Sequence, residues 1–378
     1  MHAPALNQLR SHMQHLIDQG QLPGAVALIQ QRGETVLFDA LGAQRPQGPP
    51  MARDTLFRIY SMTKPIVSLA ALQLMEQGRL QLADPVSRYL PGFAHQQVWT
   101  PQGLVPVQRE ATLHDLLRHT AGLSYAWEPG PVAEAYLAAR IGSRKHRNAE
   151  LAAALGPLPL QHPPGSTWEY SRATDVLGAV LEVVTGQPLG QALKALVLGP
   201  LGMDETGFSV PSGQLHRLAE PFERDPVTGE PVQLIDVSQP PVFESGGGGL
   251  VSSASDYARF LQMMLGGGSR RDPVSGEVKR LLSPATLRFM TADHLGTRPV
   301  AGDILAPGHG FGLGVAVRRE TGLAARPGSA GQYGWSGLGG TVFFVDPAED
   351  LFAVLLTQAP GQLRSLIELW PALVYAAL

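Results

Sequence analysis

Apolar residues recur at helical spacing over residues 4–19, interrupted by Gln, His, Arg and Asp, so the chain begins with an amphipathic helix that Gly20 and Pro23 stop. The period then shortens. Two strand-like runs follow, GAVALIQQRG (24–33) and ETVLFDALG (34–42), with Gly33 at the turn of a hairpin between them. A second helix is predicted from Pro65 to Gly78, amphipathic, carrying Ile66, Leu69, Ala70, Leu72, Leu74 and Met75 inward. From about 80 to 300 the pattern is helix and loop. There, TLHDLLRHTAGL begins with a threonine cap, TDVLGAVLEVVTGQPLGQALKALVLGPLGM reads as two helices parted at Gly186 to Pro188, and SASDYARFLQMMLGGG is a capped helix ended by glycines. The final third is β-rich again in GFGLGVAVRRE (310–320), GGTVFFVDP (339–347) and DLFAVLLTQ (350–358), with DPAED as the turn between the last two. A closing helix over 362–377 carries Leu363, Leu366, Ile367, Leu369 and Trp370.

Strands at both ends with helices between them predict an α+β fold: one antiparallel sheet built from the two termini, flanked by the terminal helices, with a mostly helical lobe inserted. The whole chain, 1–378, is expected to form a single unit, its sheet lobe at about 1–64 and 300–378 and its helical lobe at about 65–299. Composition narrows the classes of partner. A formal charge of -3 with 16% charged residues gives no footing for nucleic acid or an acidic membrane surface, and the zero cysteines exclude disulfides, thiolate metal sites and a cysteine nucleophile. The first residues lack the apolar core of a signal peptide and no segment approaches the length of a membrane span, so the expected location is cytoplasmic. With 43 glycines and 32 prolines, loops and tight turns should be numerous.

The handover between the two lobes carries the string SMTKP, Ser61 to Pro65. Pro65 has no backbone donor and disfavours helix at Lys64, which predicts a helix starting at Pro65 and a tighter turn over Ser61 to Lys64. Residues three apart eclipse in such a turn, so the Ser61 hydroxyl and the Lys64 amine would lie side by side. A serine hydroxyl needs an adjacent base to act as a nucleophile, and Lys64 serves if burial lowers its pKa toward neutral. The Ser61 N–H would form half of an oxyanion hole. A proton relay is also needed, and Tyr170 in PPGSTWEYSRATDVLG is the candidate, provided that a neighbouring cation holds its phenol near deprotonation. On its own each string has a plainer reading, a helix cap for Ser61 and a packed loop aromatic for Tyr170.

Other conspicuous residues read as structural. His119 in RHTAGL is a satisfied helix-end histidine, and the scattered histidines offer no ligand spacing, so no metal or other cofactor is expected. SGGGGL (245–250) lacks the Lys-Ser/Thr of a phosphate loop and reads as glycines that let backbone approach a cleft. Asp175 is a first-turn helix residue beside the site. GWSGL (334–338) departs from G-x-S-x-G at Leu338 and lies in a β-rich segment instead of a strand-to-helix turn, so Ser336 is not the nucleophile.

Taken together, SMTK, LLRHTAGL, PGSTWEYS, SGGGGLVSSASDYARF, GFGLGV and WSGLGGTVFFVDP occur in an order that resembles the serine β-lactamase superfamily on its class C side, and most closely the family VIII carboxylesterases. The resemblance runs over roughly residues 10 to 375. It implies a β-lactamase/penicillin-binding-protein fold, Ser61 as the acylated nucleophile, Lys64 as the base beside it and Tyr170 as the proton relay. It also aligns Trp335, Ser336 and Gly337 with the Lys-Thr-Gly strand of the lactamases, and makes the Leu338 N–H the second oxyanion donor. Trp335 carries no charge, so a substrate carboxylate would lose a charge-assisted hydrogen bond of about 1.5–3 kcal/mol. That favours small, largely neutral esters of short acyl chain over β-lactams. Arg172 stands where class C enzymes have asparagine; it either holds Tyr170 as phenolate or faces solvent. The implied activity is that of a serine carboxylesterase on small-molecule esters. Alternatives are a weak β-lactamase, a D-amino-acid peptidase, an acyltransferase, or a module of the same fold that is acylated without turnover. The oligomeric state is not readable.

Overall fold

The computed structural model describes every residue except Glu128, Pro273 and Val274. Seven strands form one antiparallel sheet: β1 (Gly24–Gln31), β2 (Glu34–Gly42), β3 (His309–Phe311), β4 (Ala316–Arg318), β5 (Tyr333–Gly337), β6 (Thr341–Asp346) and β7 (Leu351–Thr357). Their order across the sheet is β2-β1-β7-β6-β5-β4-β3, so the two ends of the chain meet where β1 pairs with β7, Ala25 opposite Thr357 through Gln31 opposite Leu351.

The period-two alternation expected of strands sorts the core into two layers. Val26, Leu28, Phe343, Val345, Phe352, Val354 and Leu356 face a large core shared with the helical lobe. Ala25, Ala27, Ile29, Val342, Phe344, Leu351, Ala353 and Leu355 face the other way, beneath α1 (Ala3–Asp18) and α6 (Leu363–Tyr375). Strands buried on both faces read as continuous apolar runs, which is why DLFAVLLTQ and GGTVFFVDP stand out in the sequence. In the helical lobe, α3 (Leu113–Leu117) starts at a Thr112 cap that forms a reciprocal pair with Asp115, and α5 (Ala254–Leu265) starts at a Ser253 cap and packs against β7. No single helix among the described residues is long and apolar enough to cross a membrane.

Three expectations are corrected. The helix α2 (Thr63–Glu76) begins two residues before Pro65, behind a 3₁₀ turn over Tyr60–Met62. Pro65 is in the first turn, where its missing N–H has no partner to lose. Nor is α2 amphipathic: every residue from Thr63 to Leu74 is buried, because the helix Ala173–Thr185, the segment 189–198 and the turn Tyr60–Met62 pack around it. The run 310–320 is not one strand; Gly312 N–H bonds the Val315 carbonyl at 2.8 Å and folds it into the hairpin of β3 and β4. Outside the seven-stranded sheet the chain also holds short strand pairs too brief for periodicity to show. Gln97–Thr100 pairs with Gly103–Pro106, Ser269–Arg271 with Val278–Arg280, and Phe57–Arg58 with Val251–Ser252. The last of these matters for the site, since it ties the chain entering Ser61 to the chain leaving the glycine run.

Trp370 is fully buried between α6 and the sheet. Trp370→Ala is expected to cost about 3–5 kcal/mol, a large-to-small core truncation, measured as a fall in the urea midpoint at unchanged m-value.

Candidate active site

Ser61 sits in the middle of the 3₁₀ turn, between Tyr60 and Met62, where the sheet lobe gives way to α2. Tyr60 has φ of 43°, a left-handed conformation that a side chain adopts only under constraint. The constraint is visible: its hydroxyl accepts the Ile235 N–H at 3.0 Å, and Ile59 before it donates its N–H to the Leu250 carbonyl at 3.0 Å. Strand β5 braces the same turn from the other side. A Cβ at Gly337 would lie 2.2 Å from the Ile59 carbonyl oxygen, so the strand can approach this closely only as glycine.

Lys64 follows one helical turn on and is completely buried. Its Nζ lies 3.2 Å from Ser61 Oγ, 3.1 Å from the Tyr125 hydroxyl and 2.7 Å from the Gly247 carbonyl oxygen. Desolvation lowers its pKa from 10.5 to about 7; Asp175 opposes that shift and Arg172 adds to it. A neutral amine has two N–H bonds and one lone pair. Since a carbonyl oxygen can only accept, Gly247 takes one N–H, and the two hydroxyls divide the other N–H and the lone pair. The lone pair is thereby available to receive a proton from Ser61.

The glycine run sets this up. Asp175 Oδ1 accepts from Ser245 Oγ at 2.6 Å and from the Gly247 N–H at 2.9 Å, which turns the Gly247 carbonyl toward Lys64. A Cβ at Gly247 would lie 3.0 Å from that carboxylate oxygen, too tight for this approach. Asp175 lies in the first turn of α4 (Ala173–Thr185), where the helix dipole favours a carboxylate. Arg172 neither grips Tyr170 nor simply faces solvent. Its guanidinium pairs with Asp175 Oδ2 at 3.3 Å and lies over the Tyr125 ring at 5.0 Å. Tyr125 itself was not foreseen. SYAW carries no helix, strand or motif signal, and its hydroxyl reaches Lys64 only through the fold.

Tyr170 borders the same space. Burial raises its phenol pKa well above the ordinary value, and hydrogen bonds with Ser61 and Trp335 offset this only in part. The expectation of a phenol held near deprotonation by a neighbouring cation is corrected: Lys64 Nζ lies over the ring face at 4.4 Å, and burial keeps the phenol pKa raised. Trp335 Nε1 donates to the Tyr170 hydroxyl at 3.2 Å. His119 packs on the Tyr170 ring with centroids 5.0 Å apart. Its Nδ1 accepts the Ser171 N–H at 3.2 Å, while its buried Nε2 has no partner among the described residues, so the histidine is only half satisfied.

These residues open on one cavity of about 570 Å³ whose lining includes Ser61, Tyr125, Trp127, Tyr170, Arg172, Trp335, Ser336 and Leu338. Gly337 is not among its lining residues; it packs behind, against Ile59. Leu338, 59% exposed, and Trp127, 62% exposed, form an apolar rim.

A profile of the beta-lactamase family matches residues 9–378. Esterase EstB of Burkholderia gladioli is 38% identical over 362 residues, spanning 89% of this chain and 86% of its own. Protein Rv1367c of Mycobacterium tuberculosis is 36% identical over 366 residues, spanning 92% of this chain and 89% of its own. Among solved structures, EstCE1, a hydrolase with promiscuous acyltransferase activity, superposes with a TM-score of 0.81 at 30% identity, over 99% of this chain and 98% of that one.

Holding Lys64 in place has a cost that depends on pH. Between about pH 7 and 10.5 the unfolded chain binds a proton at Lys64 that the folded chain does not, so this group lowers stability as pH falls through that window and lowers it fully below pH 7. Lys64→Met is expected to be more stable than wild type, with a difference in urea midpoint that is largest near pH 6 and shrinks as pH rises toward 9.

Proposed function

We propose that this chain, which belongs to the beta-lactamase family, is a serine carboxylesterase that hydrolyses small-molecule esters through an acyl-enzyme on Ser61. One observation carries the reading: a buried lysine, its pKa drawn down to about 7, lies 3.2 Å from the hydroxyl of a serine that faces an apolar cavity. In this reading Ser61 Oγ attacks the ester carbonyl carbon as its proton passes to the neutral Lys64 amine. The carbonyl oxygen, now an oxyanion, is held by the N–H groups of Ser61 and Leu338. Collapse of the adduct breaks the bond to the alcohol oxygen, and Tyr170, an uncharged phenol beside Ser61, passes that oxygen a proton that Lys64 replaces. Water then repeats the steps in reverse roles, releasing the acid and restoring the serine.

The substrate side of the reading rests on Trp335. An indole at this position offers the cleft an apolar face and spends its N–H on Tyr170, which supports a neutral ester group at the strand over a carboxylate bound there. Likeness to EstB supports hydrolysis, and likeness to EstCE1 supports a second reading in which an alcohol replaces water in the final step.

Ser61→Ala is expected to lower kcat/KM for 4-nitrophenyl acetate and butyrate by about a thousandfold or more, with no acyl adduct by intact-protein mass spectrometry. Activity unchanged by this substitution would sink the assignment. In wild type, kcat/KM should rise with pH through an inflection near 7 as Lys64 loses its proton. Asp175 stabilises the charged lysine, so Asp175→Asn is expected to move that inflection to lower pH; a shift upward would contradict the role given to Lys64.

A further inference from the structure

Arg144 lines the same cavity from the loop between the helices Pro131–Ala138 and Asn148–Leu155. Other arginines of that lining are engaged: Arg172 with Asp175, Arg326 with Glu368 and Arg364 with Asp303. Arg144 is half-buried and makes no hydrogen bond, ion pair or ring contact with any described residue. A guanidinium that gives up water without a partner is costly, and proteins keep such a group where a ligand supplies the missing anion.

Its surroundings do not satisfy it. The charged and titratable groups that it feels are the Tyr60 hydroxyl, Asp175, Arg172 and Asp236. The Tyr60 phenol stays neutral, raised by burial, with its oxygen taken by the Ile235 N–H. Asp175 is already matched by Arg172 and by the Ser245 O–H and Gly247 N–H donors. Asp236 is exposed, accepts the Ser238 N–H and forms no ion pair with Arg144. Desolvation is the leading influence on Arg144 and lowers its pKa, outweighing the neighbours that favour the charged form.

We propose that Arg144 is a specificity-determining residue that binds a carboxylate on the substrate, making the preferred ester amphiphilic: apolar on one side of the scissile bond, carboxylate-bearing on the other. The proposal rests on the esterase reading and names its substrate class. The planar guanidinium fork matches a carboxylate in two parallel hydrogen bonds. The apolar part has its own wall, where Trp335 packs on Tyr170 and Phe311 and where Ile304, Leu305 and Trp127 complete the lining. The strand lysine of the lactamases is absent, yet the cleft has a cation elsewhere, beside Tyr60 instead of on β5.

The test compares 4-nitrophenyl monoglutarate with its methyl-capped diester on wild type, Arg144→Gln and Arg144→Lys, at low and high salt. The two esters share a chain and a leaving group and differ in one charge, so the capped diester also reports whether each variant is folded. The ratio of kcat/KM, free carboxylate over capped, is expected to fall about ten- to hundredfold in Arg144→Gln, chiefly through KM, the span of one charge-assisted hydrogen bond. Arg144→Lys should retain part of the ratio, and high salt should lower it in wild type but not in Arg144→Gln. A ratio unmoved by Arg144→Gln overturns the proposal and leaves the esterase reading standing. Release of nitrophenol that survives Ser61→Ala overturns the esterase reading and the proposal with it.

Discussion

The cost of burying an amine organises this molecule. Lys64 lies in the first turn of a helix buried from Thr63 to Leu74, and its desolvation outweighs the opposing carboxylate of Asp175. That carboxylate, Asp175, does not touch the lysine. It bonds the N–H of Gly247, and the carbonyl of the same residue meets Lys64, so the negative charge reaches the amine across a residue of backbone. A direct ion pair would hold the lysine charged and useless as a base. Removing the carboxylate altogether would leave the Gly247 backbone without its anchor. Arg172, by pairing with Asp175, tempers the remaining field.

The aromatic wall follows from the same constraint. Tyr125 and Tyr170 set their rings over the amine, Trp168, Phe311, His119 and Trp335 pack with Tyr170, and most of these are apolar surfaces with a single polar handle. A tryptophan at position 335 does two things at once. It lends the cleft an uncharged apolar face, and it gives the Tyr170 hydroxyl a donor that fixes which way its own proton can point.

Much of this was legible in the chain. Period-two runs at both ends located the sheet, because strands buried on two faces leave little room for polar residues, and the Ser61 to Lys64 spacing placed the amine beside the hydroxyl. What escaped reading depends on contacts between distant segments. Tyr125 lies 61 residues from the lysine it touches, and Gly247 acts through its carbonyl, which no side-chain pattern encodes. The start of α2 was misplaced because Pro65 was given the power to begin the helix, whereas a proline in the first turn costs nothing wherever that turn begins. Arg172 was weighed against the wrong partner: its proximity to Tyr170 in sequence said less than the carboxylate three residues on.

The order of strands across the sheet sets a timetable. Ser61 and Lys64 are made early, but the strand that braces their turn, β5, is held by β6, β6 by β7, and β7 closes on β1, more than 300 residues behind it in the chain. Closing such a long loop is slow and must wait for the last strand to emerge. A nascent chain on the ribosome thus holds the serine and the lysine without the wall opposite them. Ser61 and Lys64 gain the wall opposite them only once β5, β6 and β7 have been made and β7 has closed on β1, so three strands remote in sequence decide when the turn around the serine is braced.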